Sequence, residues 1–170
     1  MISPEYCQLM ARYNRWMNER LYVLLSAVSD EERKRDRGAF FGSIHGTLNH
    51  LLWGDRMWLG RFIDDPCNHR AFGADMYAEF TELAREREIT DRKMLDWADG
   101  IGAEWLGGTL SYVSKVDGRR REMSRPVAVL QLFNHGTHHR GQLTTLIKQA
   151  GFDPGITDIP WLPGVVRVFD

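Results

Sequence analysis

The sequence NHGTHHRGQL, residues 134–143, decides which fold the chain must adopt. It holds three of the six histidines, and two of them, His135 and His139, are four residues apart. On an α-helix this spacing places both imidazoles on one face, about one turn apart. Two imidazoles placed in this way can bind one divalent metal ion, as in the H-x-x-x-H part of zinc-protease helices. We therefore predict a helical bundle around this pair, with a third ligand from another helix.

The composition predicts a single folded domain, residues 1–170. That length is sufficient for one full hydrophobic core, and a net charge of −1 gives no reason to expect nucleic acid or an anionic membrane as a partner. Cys7 and Cys67 lack metal-binding or redox spacing, and we expect them to be free thiols of a cytoplasmic protein. The N-terminus lacks the pattern of a signal peptide, and no apolar run approaches the roughly 20 residues that span a bilayer.

Apolar residues that recur every three or four positions predict four long helices, with bounds set by caps and helix breakers. The predicted helices run from Pro4 to about Ala27, from Gly42 or Ser43 to Ile63, from Asp75 as N-cap to about Ile101, and from about Pro126 to Gln149. The second helix is apolar over more than one face, which is typical of a central helix.

The connections between these helices have their own patterns. A short helical turn is expected to begin at Ser29. Residues 64–74 form a long polar connection, which can carry the chain across the end of a bundle. The Asp117-Gly118 pair lies between two β-rich runs and predicts a small β-hairpin at about 109–124.

The fourth predicted helix separates its three histidines by face. His135 and His139 lie on the apolar stripe that faces the core, whereas His138 lies on a polar row. Two buried histidines on an apolar stripe are costly unless they are hydrogen-bonded or bound to a metal. The pair therefore favours a metal site, with hydrogen-bonded core histidines as the alternative.

The third ligand is expected from the second predicted helix, where His50 and His45 are the candidates. They are five residues apart, about 140° around the helix, and cannot easily share a site. His50 is flanked by Gly46 and Gly54, and a glycine inside a helix costs about 1 kcal/mol relative to alanine. An open cavity over His50 and close helix packing explain these glycines equally well. The flanking glycines favour His50 as the third ligand. His69 is expected to face solvent.

Other polar and aromatic residues allow two interpretations each. Asn14 and Asn18 lie beside the apolar stripe of the first helix, either as a polar flank or as the lining of an interior polar cavity. Arg140 and Gln142 follow the second histidine and are candidates for supporting roles. Three large side chains near His50 are interpreted as core packing, with pocket lining as the alternative: Trp53, Met57 and Trp58.

Three segments together resemble one known family. The segments YNRWMNERL (13–21), SIHGTLNHLLWGDRMWLGRF (43–62) and NHGTHHRGQL (134–143) are similar to the DinB/YfiT-like family of metal-binding four-helix bundle proteins. The resemblance extends from about residue 5 to 160. The combination of LNHLLWxD with HxxxHRGQ is specific, whereas either motif alone would be weaker.

The resemblance implies an all-α fold and a ligand set. The fold is a four-helix bundle, up-down-down-up, with a long crossover between the second and third helices. The small β-hairpin before the fourth helix is predicted from the sequence pattern itself. The implied metal ligands are His50 in the NHLL block and His135 and His139 in HxxxHRGQ. By resemblance, His50 is thus chosen over His45.

The implied function is a metal-dependent enzyme. Three imidazoles leave a divalent metal one open position, which is typical of catalytic zinc, and nitrogen ligands suit zinc or nickel. Characterised relatives include transferases and isomerases that depend on low-molecular-weight thiols, so the resemblance implies a thiol-dependent S-transferase with a small-molecule substrate.

Two alternatives for the function stay open. One is a non-catalytic stress-response or binding module in which the metal staples the bundle. The other is a metal-dependent hydrolase that activates water, although no Glu beside the histidines matches a protease-like base. Relatives commonly pair through helix faces, and apolar surface on the second and third helices makes a homodimer the expected assembly.

Overall fold

The computed structural model describes residues 2–65, 76–114 and 117–167. These residues form α-helices and one two-stranded antiparallel sheet. The helices are α1 (Pro4–Ser26), α2 (Asp30–Lys34), α3 (Ile44–Phe62), α4 (Phe80–Gly100), α5 (Ala103–Leu106) and α6 (Arg125–Gln149), and the strands are β1 (Thr109–Val113) and β2 (Arg120–Ser124). In the described part of the chain, no helix has both the length and the apolar character needed to cross a membrane.

Serine caps begin two of the long helices where the sequence predicts. The Ser3 hydroxyl accepts a hydrogen bond from the Tyr6 amide at 3.3 Å, and Pro4 occupies the first turn of α1. The Ser43 hydroxyl accepts from the Gly46 amide at 3.0 Å at the start of α3. These bonds satisfy amide groups that a helix N-terminus leaves without partners, and they fix both starting points.

The predicted start of the third helix at Asp75 is wrong. Residues 76–79 are not helical, and α4 begins at Phe80. The Asn49 side chain explains the delay, because its Oδ1 accepts hydrogen bonds from the amides of Met76 and Tyr77 at 2.9 and 3.0 Å. Asp75 itself, with most of the predicted 64–74 connection, lies outside the described residues.

The predicted β-hairpin is present. Five residue pairs join β1 to β2, from Thr109 with Ser124 to Val113 with Arg120. Gly118 adopts a φ of 70°, which residues with a side chain rarely adopt, as the Asp-Gly signal requires. The short helix α5 before the hairpin was not predicted.

The four long helices surround one cluster of buried apolar side chains. Helix α1 packs mainly against α4, and α3 packs mainly against α6; smaller contacts join α3 to α4 and α1 to α6. The largest fully buried side chains come from all four of these helices and include Met17, Leu52, Leu83 and Leu132.

A buried polar network crosses this core. Asn14 and Asn18 are 2% and 5% exposed, so both side chains lie in the interior and the polar-flank interpretation is wrong. Asn14 Nδ2 donates to Asp55 Oδ2 at 3.2 Å, and Asn18 Nδ2 donates to Asp91 Oδ1 at 2.9 Å. Asn14 Oδ1 also accepts a hydrogen bond from Arg140. The network therefore ties α1 to the other three long helices.

Arg87 forms ion pairs with the two carboxylates of this network. Its Nη1 donates to Asp55 Oδ2 at 2.8 Å, and its Nη2 lies 2.9 Å from Asp91 Oδ1. Burial raises the pKa of Asp91 to about 6, against the opposing effect of the Arg87 charge. Charges this deep are tolerated only when they are paired and hydrogen-bonded.

Arg87→Met is expected to lower the free energy of unfolding by about 3–5 kcal/mol at pH 8, because it leaves two buried carboxylates without their shared cation. Since the folded-state pKa of Asp91 lies above its ordinary value, the folded protein binds that proton more tightly than the unfolded chain does. The Asp91 contribution to stability therefore falls as the pH rises from about 4 to about 6. The loss in the variant should be smaller at pH 5, where Asp91 takes up a proton.

Urea unfolding at the two pH values measures this effect. Arg92→Met is the matched control, because Arg92 lies on the same helix and is exposed. Equal losses in the two variants would show that the network contributes nothing specific to stability.

Candidate metal centre

Three histidine side chains meet where α3 packs against α6. The Nε2 atom of His50 lies 3.0 Å from Nε2 of His135 and 3.1 Å from Nε2 of His139. The three potential ligand atoms all lie within 4.8 Å of one another. Ligands about 2.0–2.1 Å from a tetrahedral zinc ion are about 3.3 Å apart, which is close to the two separations from His50. The cluster could therefore hold one metal ion.

The other histidines of the described chain lie outside this cluster. His138 is exposed on α6, as its place on the polar row predicts. His45 is 1% exposed and its Nε2 donates to the Tyr77 carbonyl oxygen at 2.9 Å. His69 lies outside the described residues. Of the two candidates on α3, only His50 faces the α6 pair.

Close packing explains both glycines that flank His50, so the structure supports that alternative for them. A Cβ atom on Gly54 would lie 2.4 Å from Cε1 of His135, and a Cβ atom on Gly46 would lie 2.2 Å from the Phe41 carbonyl oxygen. Contacts this short do not occur between real side chains and their neighbours. Gly54 therefore provides the space that the His135 ring occupies.

Two aromatic rings stack against His50. The Phe41 ring stacks on the imidazole with centroids 3.8 Å apart, and the Trp53 ring stacks with centroids 5.7 Å apart. Trp53 is thus both buried and part of the site. Trp58 instead packs against Phe62 and Tyr112, in agreement with a core role.

Sequence reasoning missed Phe41. It lies in a short turn in which Ala39 forms an isolated β-bridge with Gly42, and no motif marks it. Its contact with His50 exists only because the turn folds back over the start of α3.

Burial keeps the three imidazoles neutral. Burial, followed by the effect of the neighbouring histidines, lowers the pKa of His50 to about 3 and that of His135 to about 4. Burial also lowers the pKa of His139. Neutral imidazole is the form that binds metal ions, so the chemistry of the donors fits a divalent cation.

Gln142 fixes which nitrogen of His139 carries the proton. Nδ1 of His139 lies 2.7 Å from Oε1 of Gln142, and an amide oxygen can only accept. The proton is therefore on Nδ1, and Nε2 presents a free lone pair to the cluster. Arg140, the other candidate for a supporting role, points instead into the buried network beside Asn14.

Gly54→Ala is expected to lower the free energy of unfolding by about 1–3 kcal/mol in metal-free protein, because the new methyl group overlaps the His135 ring. Gly141→Ala is the matched control, since a Cβ atom there has nothing within 4 Å. The free energy of unfolding of the control should rise by up to about 1 kcal/mol, because alanine has a better helix propensity than glycine. Urea unfolding with a chelator present measures both, and a gain in both variants would contradict the packing described.

Comparison with known proteins gives one consistent result. The family model described as the DinB family matches residues 1–165. A protein of Bacillus subtilis named Protein DinB is 28% identical over 153 residues, which cover 86% of this chain and 87% of that protein. The crystal structure of a DinB-like protein from Bacillus cereus aligns with a TM-score of 0.60 at 18% identity, covering 83% of this chain and 91% of that chain. At that identity the structural likeness establishes the fold alone.

Proposed function

The chain belongs to the DinB family, and from this we propose that it is a metal-dependent enzyme, a thiol-dependent S-transferase that acts on a small molecule. The proposed ligands are His50, His135 and His139. The observation that carries the proposal is the convergence of three neutral imidazole nitrogens, with separations of 3.0 and 3.1 Å, in a buried aromatic setting.

The number of protein ligands favours a catalytic site over a structural one. Within the described residues, the cluster contains three histidines and no cysteine, aspartate or glutamate. Structural zinc sites have four protein ligands, whereas catalytic sites keep one position for water or substrate. We therefore favour the enzyme over a metal-stapled module.

Nitrogen ligands favour zinc or nickel as the metal. When bound, such an ion would act as a Lewis acid that stabilises a thiolate or a hydroxide. A low-molecular-weight thiol is the proposed co-substrate, by analogy with the family, and activation of water in a hydrolase is the alternative.

The surrounding residues prepare the histidines for this role. The Gln142 side chain accepts a hydrogen bond from Nδ1 of His139, so that Nε2 of His139 faces the other two proposed ligands. The Phe41 and Trp53 rings stack against His50, which is 7% exposed. A buried setting would strengthen electrostatic interactions with a bound anion such as a thiolate.

The contacts among the long helices support the remaining parts of the proposal. Neighbours α1–α4, α4–α3, α3–α6 and α6–α1 form a closed ring, as expected for an up-down-down-up four-helix bundle in one domain. A homodimer, common in the family, remains our proposal for the assembly.

Changing any one of the three clustered histidines to alanine is expected to weaken zinc binding by more than about 100-fold, since loss of a ligand should exceed the loss of an outer-shell partner. Competition titration with a chromophoric chelator and elemental analysis of the purified protein measure this. His138→Ala is the matched control and should bind zinc normally. Full metal occupancy in all three ligand variants would exclude the site.

Removal of the metal tests the catalytic interpretation separately. We expect chelation to abolish thiol transfer to an electrophilic probe while the far-UV circular dichroism spectrum stays unchanged. A large loss of helical signal on chelation would favour the metal-stapled module.

Gln142→Leu is expected to weaken zinc binding by about 10–100-fold, because the His139 tautomer is no longer fixed. Gln149→Leu, the same change at an exposed position of α6, should have no effect. The same competition titration compares them, and equal affinities would show that Gln142 does not orient His139.

A further inference from the structure

A groove lies between the turn at residues 37–41 and the outer side of α6, and we call it the α6 groove. Its volume is about 540 Å³, within the range of about 300–1,000 Å³ that is typical of small-molecule sites. None of the three clustered histidines is among its described lining residues. Two lining residues nevertheless contact them, because Phe41 stacks on His50 and Gln142 is hydrogen-bonded to His139. The groove is therefore a separate space beside the candidate metal centre.

The turn supplies an aromatic wall of the groove. The Phe40 side chain is 78% exposed, and its ring contacts the edge of the Phe41 ring with centroids 4.8 Å apart. Two backbone hydrogen bonds of 2.8 Å fix the turn, from the Gly42 amide to the Ala39 carbonyl oxygen and from the Arg37 amide to the Gly42 carbonyl oxygen. A ligand ring stacked on Phe40 would bury apolar surface that both rings otherwise expose to water.

Helix α6 supplies a hydrogen-bond donor on the opposite wall. Oε1 of Gln142 accepts from Nδ1 of His139 at 2.7 Å, which fixes the orientation of the Gln142 amide group. Since Oε1 faces His139, which is outside the lining, Nε2 is the polar atom that Gln142 offers to the groove. Nε2 has no hydrogen-bond partner in the described part of the chain, and it is not among the polar atoms there that are both buried and unpaired. It is therefore an accessible, oriented donor, and a ligand that reaches it must supply an acceptor.

The charge beside the groove favours an anionic acceptor. Arg37 lines the groove, whereas Glu32, its ion-pair partner, does not. Glu32 contacts Nη2 of Arg37, and Nη1 of the same guanidinium is accessible. Among the described lining residues there is no aspartate or glutamate. The positive end of the ion pair is therefore the end nearer the groove, and it attracts an anion rather than a cation.

We propose that the α6 groove binds a small molecule that carries an aromatic ring and a carboxylate. The ring stacks on Phe40, the carboxylate accepts a hydrogen bond from Nε2 of Gln142, and Arg37 supplies the complementary charge. An ionised acceptor makes a shorter and stronger hydrogen bond than a neutral one. The site depends neither on the metal nor on the proposed transferase activity. Its occupant contacts Gln142, the residue that fixes the tautomer of His139, so it binds where a small molecule can influence the metal centre.

Three probes with the same carbon skeleton test the ligand class. Cinnamate has the ring and the carboxylate, cinnamamide has a neutral head group, and cinnamylamine has a cationic one. Each is titrated into the ¹⁵N-labelled full chain, and amide chemical shifts are followed. Cinnamate is expected to shift the amides of Phe40, Gly141 and Gln142 in a saturable way. Cinnamamide should bind at least about fivefold more weakly, because its oxygen is uncharged, and cinnamylamine should not saturate the site.

Titration with zinc present and after chelation separates the groove from the metal centre. Cinnamate should bind with the same affinity in both states, within about threefold, because polarisation through one hydrogen bond alters its strength by only about 10–30%. Binding that disappears on chelation would show that the carboxylate binds the metal ion, and it would overturn the proposal. The same affinity in both states supports the groove whether or not the histidines hold a metal.

Phe40→Ala and Gln142→Leu test the two contacts separately. Phe40 is exposed, so its removal should leave the fold intact and weaken the binding of cinnamate and cinnamamide alike, by about tenfold. Gln142→Leu should weaken cinnamate binding by at least about fivefold and cinnamamide binding by less. Trp161→Ala and Gln131→Leu, at exposed positions outside the described lining, are the matched controls and should change neither affinity. Absence of a saturable shift with cinnamate, equal affinity for all three probes, or unchanged cinnamate affinity in either groove variant would overturn the proposal.

Discussion

Close approach of α3 to α6 at Gly54 is the contact on which the candidate metal centre depends. The His135 ring occupies the volume that any side chain at position 54 would need. With that ring in place, Nε2 of His50 lies 3.0 Å from Nε2 of His135 and 3.1 Å from Nε2 of His139. Because the three histidines are largely buried between α3 and α6, their imidazoles are neutral. Neutral imidazole is the form that binds metal ions.

The buried polar network constrains the other half of the molecule. Asn14 is hydrogen-bonded to Asp55 on α3 and to Arg140 on α6. Arg87 on α4 donates a hydrogen bond to the same Asp55 carboxylate. Paired charges in a core are weak contributors to stability, but they tolerate few alternative arrangements. Since Arg140 directly follows His139, the network also limits how α6 can rotate. The orientation of the three clustered histidines therefore depends on contacts with α1 and α4.

The chain thus contains two chemically different interiors. Between α3 and α6 are three imidazole nitrogens beside aromatic rings, a donor set that could hold a borderline metal ion. Between α1 and α4 is a cavity of about 700 Å³, lined by Tyr22 and Phe80 and by charged side chains. Arg87 lines this cavity and pairs with Asp55 and Asp91 of the buried network.

The sequence by itself determined what depends on local geometry. Helical period placed His135 and His139 on one face, and serine caps marked the starts of α1 and α3, because both follow from neighbouring residues. The tertiary structure decided what depends on distant partners. The Asn49 side chain accepts hydrogen bonds from the amides of Met76 and Tyr77, far along the chain, and α4 therefore begins later than predicted. In the same way, the reason for the glycine at position 54 is a ring on another helix, which no local pattern can reveal.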